Sequence, residues 1–137
     1  MTQKRFIILS LTWGLPMTLC GIAAALALIA RGYLPHRWGD CLYFPVGQTN
    51  WGGLSLGPVF LTDQSEHPHT LNHEHGHAIQ NCLLGPLMPL LTLLSAARYH
   101  YHIHLERKGI TPPPYESWWF EATASRLGAA YTDARED

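Results

Sequence analysis

The hydrophobic pattern divides the chain into an uncharged leading stretch and a punctuated remainder. From Phe6 to Ala30 there are 25 residues without a charge, flanked by Lys4-Arg5 and by Arg31. About 20 apolar residues span a bilayer core, so this run predicts a transmembrane helix that crosses once, with tilt or a kink at Pro16. A cleaved signal peptide is the rival reading, with Lys4-Arg5 as its basic start and Ala25-Leu26-Ala27 as its cleavage site. The run exceeds the usual apolar region of such peptides, about 7–15 residues, which favours a retained anchor. Residues 1–32 are therefore read as an anchor and 33–137 as one compact domain.

Beyond the anchor the pattern shortens. Leu42–Val46 and Leu54–Leu61 read as strands, with Gly47-Gln48-Thr49-Asn50 as a turn between them. Pro45 and Pro58 mark both as edge strands at best. Asp63–Pro68 is a polar loop, and Thr70 or Asn72 is suited to capping the helix that follows. A second apolar run, Cys82–Ala97, contains Pro86 and Pro89 and is short and broken for a membrane span. Pro112-Pro113-Pro114 forms a stiff linker. After it Phe120, Thr123, Ala124 and Leu127 recur at helical spacing.

Composition changes the picture in two ways. Charged residues make up 14% of the chain, few for a soluble domain and consistent with a membrane neighbour. A formal net charge of −1 with no basic cluster argues against nucleic acid as a partner. Three cysteines, none in a Cys-x-x-Cys pair, make neither a disulfide framework nor a zinc finger.

The chemistry lies in His73-Glu74-His75-Gly76-His77. It contains His-Glu-x-x-His, which on a helix stacks His73 and His77 on one face, one turn apart. Two imidazole nitrogens can then reach one Zn²⁺, while Glu74 stands beside them as a general base toward water. Catalytic zinc takes three protein ligands, and Glu121 is the best-placed downstream candidate, with Glu116 as its rival on another helical face. His75 points away from the pair. His67 and His69 fall in the loop, and His100, His102 and His104 suit a polar interfacial face. Tyr99, His100, Tyr101 and Tyr115 are candidate donors to a developing oxyanion.

With these motifs the chain resembles the gluzincin metallopeptidases. It looks most like the CAAX-prenyl-endopeptidase and HtpX-type membrane proteases and the short minigluzincins. Their second helix reads Glu-x-x-Ala-Asp-Arg, and here the matching positions are Glu121, Ala124, Ser125 and Arg126. The resemblance covers residues 70–130 and departs at Ser125, where those families have the aspartate that buttresses a zinc-bound histidine. It implies an α+β, mostly helical fold: an N-terminal transmembrane helix, then a small zincin-like domain with a short β-hairpin packed on the active-site helix. It also implies zinc on His73, His77 and Glu121, Glu74 as the catalytic residue, and hydrolysis of a peptide or protein substrate paired along Gly52-Gly53-Leu54-Ser55. If His77 and Glu121 share one ion, the run Cys82–Ala97 between them is a buried or membrane-dipping helix that returns to the same face. The alternative function is a non-catalytic membrane protein with a structural or metal-handling zinc site.

Overall fold

A computed structural model describes residues 1–136, the side chains of 132 and 134–136 excepted. The uncharged leading stretch is two helices, α1 (Gln3–Leu11) and α2 (Leu15–Ala30), meeting at 94°. The expected single helix over Phe6–Ala30 is thus corrected to a sharply bent pair. The bend falls at Thr12-Trp13-Gly14, just before Pro16 in the first turn of α2, where a missing N–H costs nothing. A Cβ on Gly14 would stand 2.5 Å from Asn81 Nδ2, so glycine lets the bend sit directly on the protein body.

Four strands follow: β1 (His36–Trp38), β2 (Cys41–Pro45), β3 (Gly53–Leu56) and β4 (Val59–Thr62). Their spatial order is β1-β2-β4-β3, with β2 and β4 parallel and the other two pairs antiparallel. This differs from expectation in three respects. Leu54–Leu61 is two strands rather than one, because Gly57 (φ +71°) and Pro58 turn the chain back on itself. The hairpin is therefore β3–β4, and Gly47–Asn50 belongs to a crossover. Finally, β2 lies inside the sheet, its Pro45 confined to the last position.

Alternation along the strands sends Tyr43 and Phe60 to one face, where they meet Phe6, Leu71, Ala78 and Cys82. Phe44 and Val59 face the other way and bury Ala25 of α2. The sheet is thus packed between α2 and helix α3 (Pro68–Leu84). α3 is capped by His67, whose Nδ1 accepts from His69 N–H at 3.2 Å, with Pro68 next; Thr70 and Asn72 lie inside the helix. A single 3₁₀ turn at Gly85–Leu87, holding Pro86, leads into α4 (Met88–Arg107). The run Cys82–Ala97 is therefore the end of one helix and the start of the next. Together they form one stretch, Pro68–Arg107, long and apolar enough to cross a membrane by length and composition, yet 44% of its apolar 18-residue segment is buried inside the protein. After the proline linker, α5 (Trp119–Glu136) packs against α3. All three cysteines are free.

Candidate metal centre

The α3–α5 contact is what assembles the site. A Cβ on Gly76 would fall 1.8 Å from the Ala124 carbonyl oxygen, and one on Gly128 would fall 1.8 Å from that of Asn72. Only hydrogen at these two positions lets the helix backbones touch. The close approach brings Glu121 of α5 against the histidine face of α3. Glu121 Oε2 lies 2.9 Å from His73 Nε2 and 3.1 Å from His77 Nε2, and the carboxylate is 1% exposed.

The other side of each ring is also held. His73 Nδ1 pairs with Ser125 Oγ at 2.8 Å. His77 Nδ1 pairs with Gln80 Oε1 at 2.7 Å, and Gln80 Nε2 donates to the Phe120 carbonyl at 2.8 Å. That second bond fixes which end of the amide is which, so His77 Nδ1 donates to Gln80 Oε1. Its Nε2 faces Glu121 Oε2 at hydrogen-bond distance. The Glu121 Oε1 atom is bound by the Ser95 hydroxyl and lies 3.3 Å from the Tyr115 hydroxyl.

These groups are a donor set for a metal ion: His73, His77 and Glu121 offer ligand atoms all within 4.8 Å of one another. Ligands about 2.0–2.1 Å from one tetrahedral ion stand roughly 3.3 Å apart, so the two distances from Glu121 Oε2 to the ring nitrogens need to open by only a few tenths of an ångström. Sequence reasoning placed these three residues together. Glu116 is not part of the group; its Oε1 accepts from exposed His69 at 3.0 Å and lies 3.7 Å from His73 Nδ1. Gln80 went unnoticed, although it stands three residues after His77 on the same helical face. Ser95 had no signal at all in the sequence.

Electrostatics follow from burial and from these contacts. Burial alone would raise the Glu121 carboxyl, but hydrogen bonds from His73 and His77 outweigh it and hold the group far below the usual carboxylate range. Burial also disfavours charge on His73, yet bonding to Glu121 and the nearby Glu74 raise its pKa overall. Glu74 is 4% exposed, and burial pushes its carboxyl up, with His77 and His73 partly offsetting the effect. Its Oε2 is buried without a hydrogen-bond partner. The Tyr115 hydroxyl is pushed up to about 12 by burial and by Glu121.

The centre forms the floor of a cleft of about 640 Å³. One wall is β3 and the residues before it, from Trp51 to Ser55; the other is α4, with Thr92, Ser95 and Tyr99, together with Tyr115. β3 is an edge strand, and a Cβ on Gly53 would stand 2.6 Å from Glu74 Oε1, so the strand runs hard against the carboxylate. His100, His102 and Glu106 line the outer part of the cleft, where His102 and Glu106 lie 3.4 Å apart. His75 is buried away from the centre, between Phe6 and the ring of Tyr131 at 4.3 Å. Among family models, curated proteins and solved structures, none matches this chain.

Proposed function

We propose that the protein is a small zinc-dependent peptidase of gluzincin type that works at a membrane. The observation that carries this reading is the convergence of two Nε2 atoms and one carboxylate oxygen at the base of a cleft, with Glu74 beside them. A zinc ion held by His73, His77 and Glu121 would act as a Lewis acid and make water nucleophilic near neutral pH. Glu74 then has the part of a proton carrier. Its unpartnered Oε2 accepts a proton from the attacking water, and its raised pKa suits returning that proton to the leaving amine. The open edge of β3 offers backbone donors and acceptors to an extended substrate chain, and Gly53 allows it to lie close to Glu74. Of the four side chains weighed as oxyanion donors, Tyr115 has its hydroxyl within hydrogen-bond reach of the Glu121 carboxylate.

The alternative, a structural or metal-handling site, calls for a closed set of four protein ligands. Among the described residues no fourth histidine, cysteine or carboxylate joins the group, which favours an open, catalytic position. The test is Glu74→Gln. It should retain about one equivalent of zinc and lose all cleavage of a mixed peptide library, whereas His73→Ala/His77→Ala loses the metal itself. Cleavage by Glu74→Gln at the wild-type rate would remove Glu74 from the mechanism, and an inactive wild type that still binds zinc would favour metal handling.

A further inference from the structure

α2 is half exposed, yet its outer face contains nothing that water prefers. Its buried positions, Met17, Thr18, Gly21 and Ala25, recur at helical spacing and include its single hydrogen-bonding inner side chain, Thr18. The opposite face presents Leu15, Leu19, Ile22, Leu26 and Ile29, each between 37% and 64% exposed. A surface helix facing water carries polar residues there. The face continues onto α4, which touches α2 through Met17 and Met88. On α4 Leu90, Leu93 and Leu94 are likewise about half exposed or more, and no charge occurs between Glu74 and Arg98. Apolar patches this extended mark interaction sites.

Three further observations identify the occupant as lipid. Polar groups at the 94° bend are paired with the protein itself. The Thr18 hydroxyl lies 2.7 Å from the Ser10 carbonyl, Asn81 Nδ2 donates to the Gly14 carbonyl at 3.2 Å, and Trp13 Nε1 donates to the Leu83 carbonyl at 3.2 Å. Secondly, every charge in the first 39 residues is positive: Lys4, Arg5, Arg31 and Arg37 precede the first acidic residue, Asp40. These cations flank the apolar run in sequence and complement anionic headgroups. Thirdly, α2 lies flat on the sheet. A Cβ on Gly21 would meet the Leu56 carbonyl oxygen at 2.1 Å, and Ala25 is buried among Phe44 and Val59. A transbilayer α2 would carry the open edge of β3 and the exposed His36 and Arg37 into hydrocarbon, where unpaired backbone and charge are not tolerated.

We infer that the protein binds an anionic phospholipid bilayer from one side, with the outer faces of α2 and the first half of α4 sunk into the interface and no segment crossing. This extends the membrane part of the proposed function and is independent of its metal chemistry. The experiment uses the purified full chain and sealed vesicles of phosphatidylcholine with or without phosphatidylglycerol. Native Cys20, exposed on α2, carries a nitroxide label. On anionic vesicles the label should become accessible to oxygen and shielded from a water-soluble relaxing agent. Co-flotation should weaken about fivefold for each positive charge removed in Lys4→Gln/Arg5→Gln, two exposed residues. Cysteines introduced at Thr2 and Thr111 should both react with an impermeant maleimide added outside. Labelling of those two sites from opposite sides would keep the membrane but overturn the one-sided arrangement. A chain that ignores vesicles and stays monodisperse in water, or pairs through Cys20-bearing faces, would overturn lipid as the occupant.

Discussion

On the Nδ1 side of each site imidazole stands an uncharged oxygen, Ser125 Oγ for His73 and Gln80 Oε1 for His77. With a metal on the Nε2 atoms, both Nδ1–H groups would donate to these oxygens, which would orient the rings without themselves adding negative charge. Groups of this kind typically change metal affinity by about 10–100-fold when removed. Ser125→Ala and Gln80→Leu should therefore each weaken zinc by about tenfold or more, measured by competition with a chromophoric chelator. Ser125→Asp should tighten it, because a carboxylate makes the imidazole a stronger ligand. Equal affinity in all three variants would show that the Nδ1 contacts do not tune the centre.

Elements are placed by two small features. The first is the α3–α5 crossing, where Gly76 and Gly128 leave no room for a methyl group. Overpacking in such a contact costs about 1–3 kcal/mol. Gly76→Ala should lower the unfolding free energy by that amount and also weaken zinc, since separating the helices withdraws Glu121 from the histidines. A variant with unchanged stability and metal affinity would mean that the helices meet differently. The second is Asp63, just after β4. Its carboxylate accepts Gly52 N–H at 3.0 Å, Ser65 N–H at 2.9 Å and the Ser65 hydroxyl, tying both ends of the β3–β4 hairpin. The Ser65 bond is the main reason that its pKa lies below the ordinary 3.8. A depressed folded pKa contributes stability that is complete above the ordinary value and is lost as pH falls through the lower one. Asp63→Asn should thus cost about 1.5–3 kcal/mol at neutral pH, and the gap to wild type should close on acidification in urea titrations.

At the scale of the whole molecule the candidate metal centre joins the middle of the chain to its last helix. Metal bound only by the folded state stabilises it by mass action, about 2.7 kcal/mol at 100 times the dissociation constant. For a chain of this size that corresponds to roughly 10 °C in the melting temperature. Chelation should produce that loss in a thermal scan, and added zinc should reverse it. The His73→Ala/His77→Ala variant should melt at one temperature with or without chelator. A chelator effect in that variant would place the metal elsewhere.

Much of the site was legible in the sequence because its signals are local. The i, i+4 spacing puts His73 and His77 on one face by helix geometry alone, and the helix carrying Glu121 was readable from its apolar periodicity. What tertiary structure decided is the set of contacts that no spacing records. Ser95 and Tyr115 reach Glu121 only because α4 and the turn after the proline linker fold back onto α5. Gly76 and Gly128 acquire their meaning only once the two helices cross. The sheet order was hidden because parallel pairing of β2 with β4 depends on a crossover, and hydrophobic alternation marks strands without naming their neighbours. The leading stretch shows the same division. Its uncharged length is written in the sequence, but its 94° bend is set by Asn81 and Leu83 receiving Gly14 and Trp13, contacts made nearly 70 residues further along. Local periodicity specifies which surfaces are apolar; only packing determines what each of those surfaces meets.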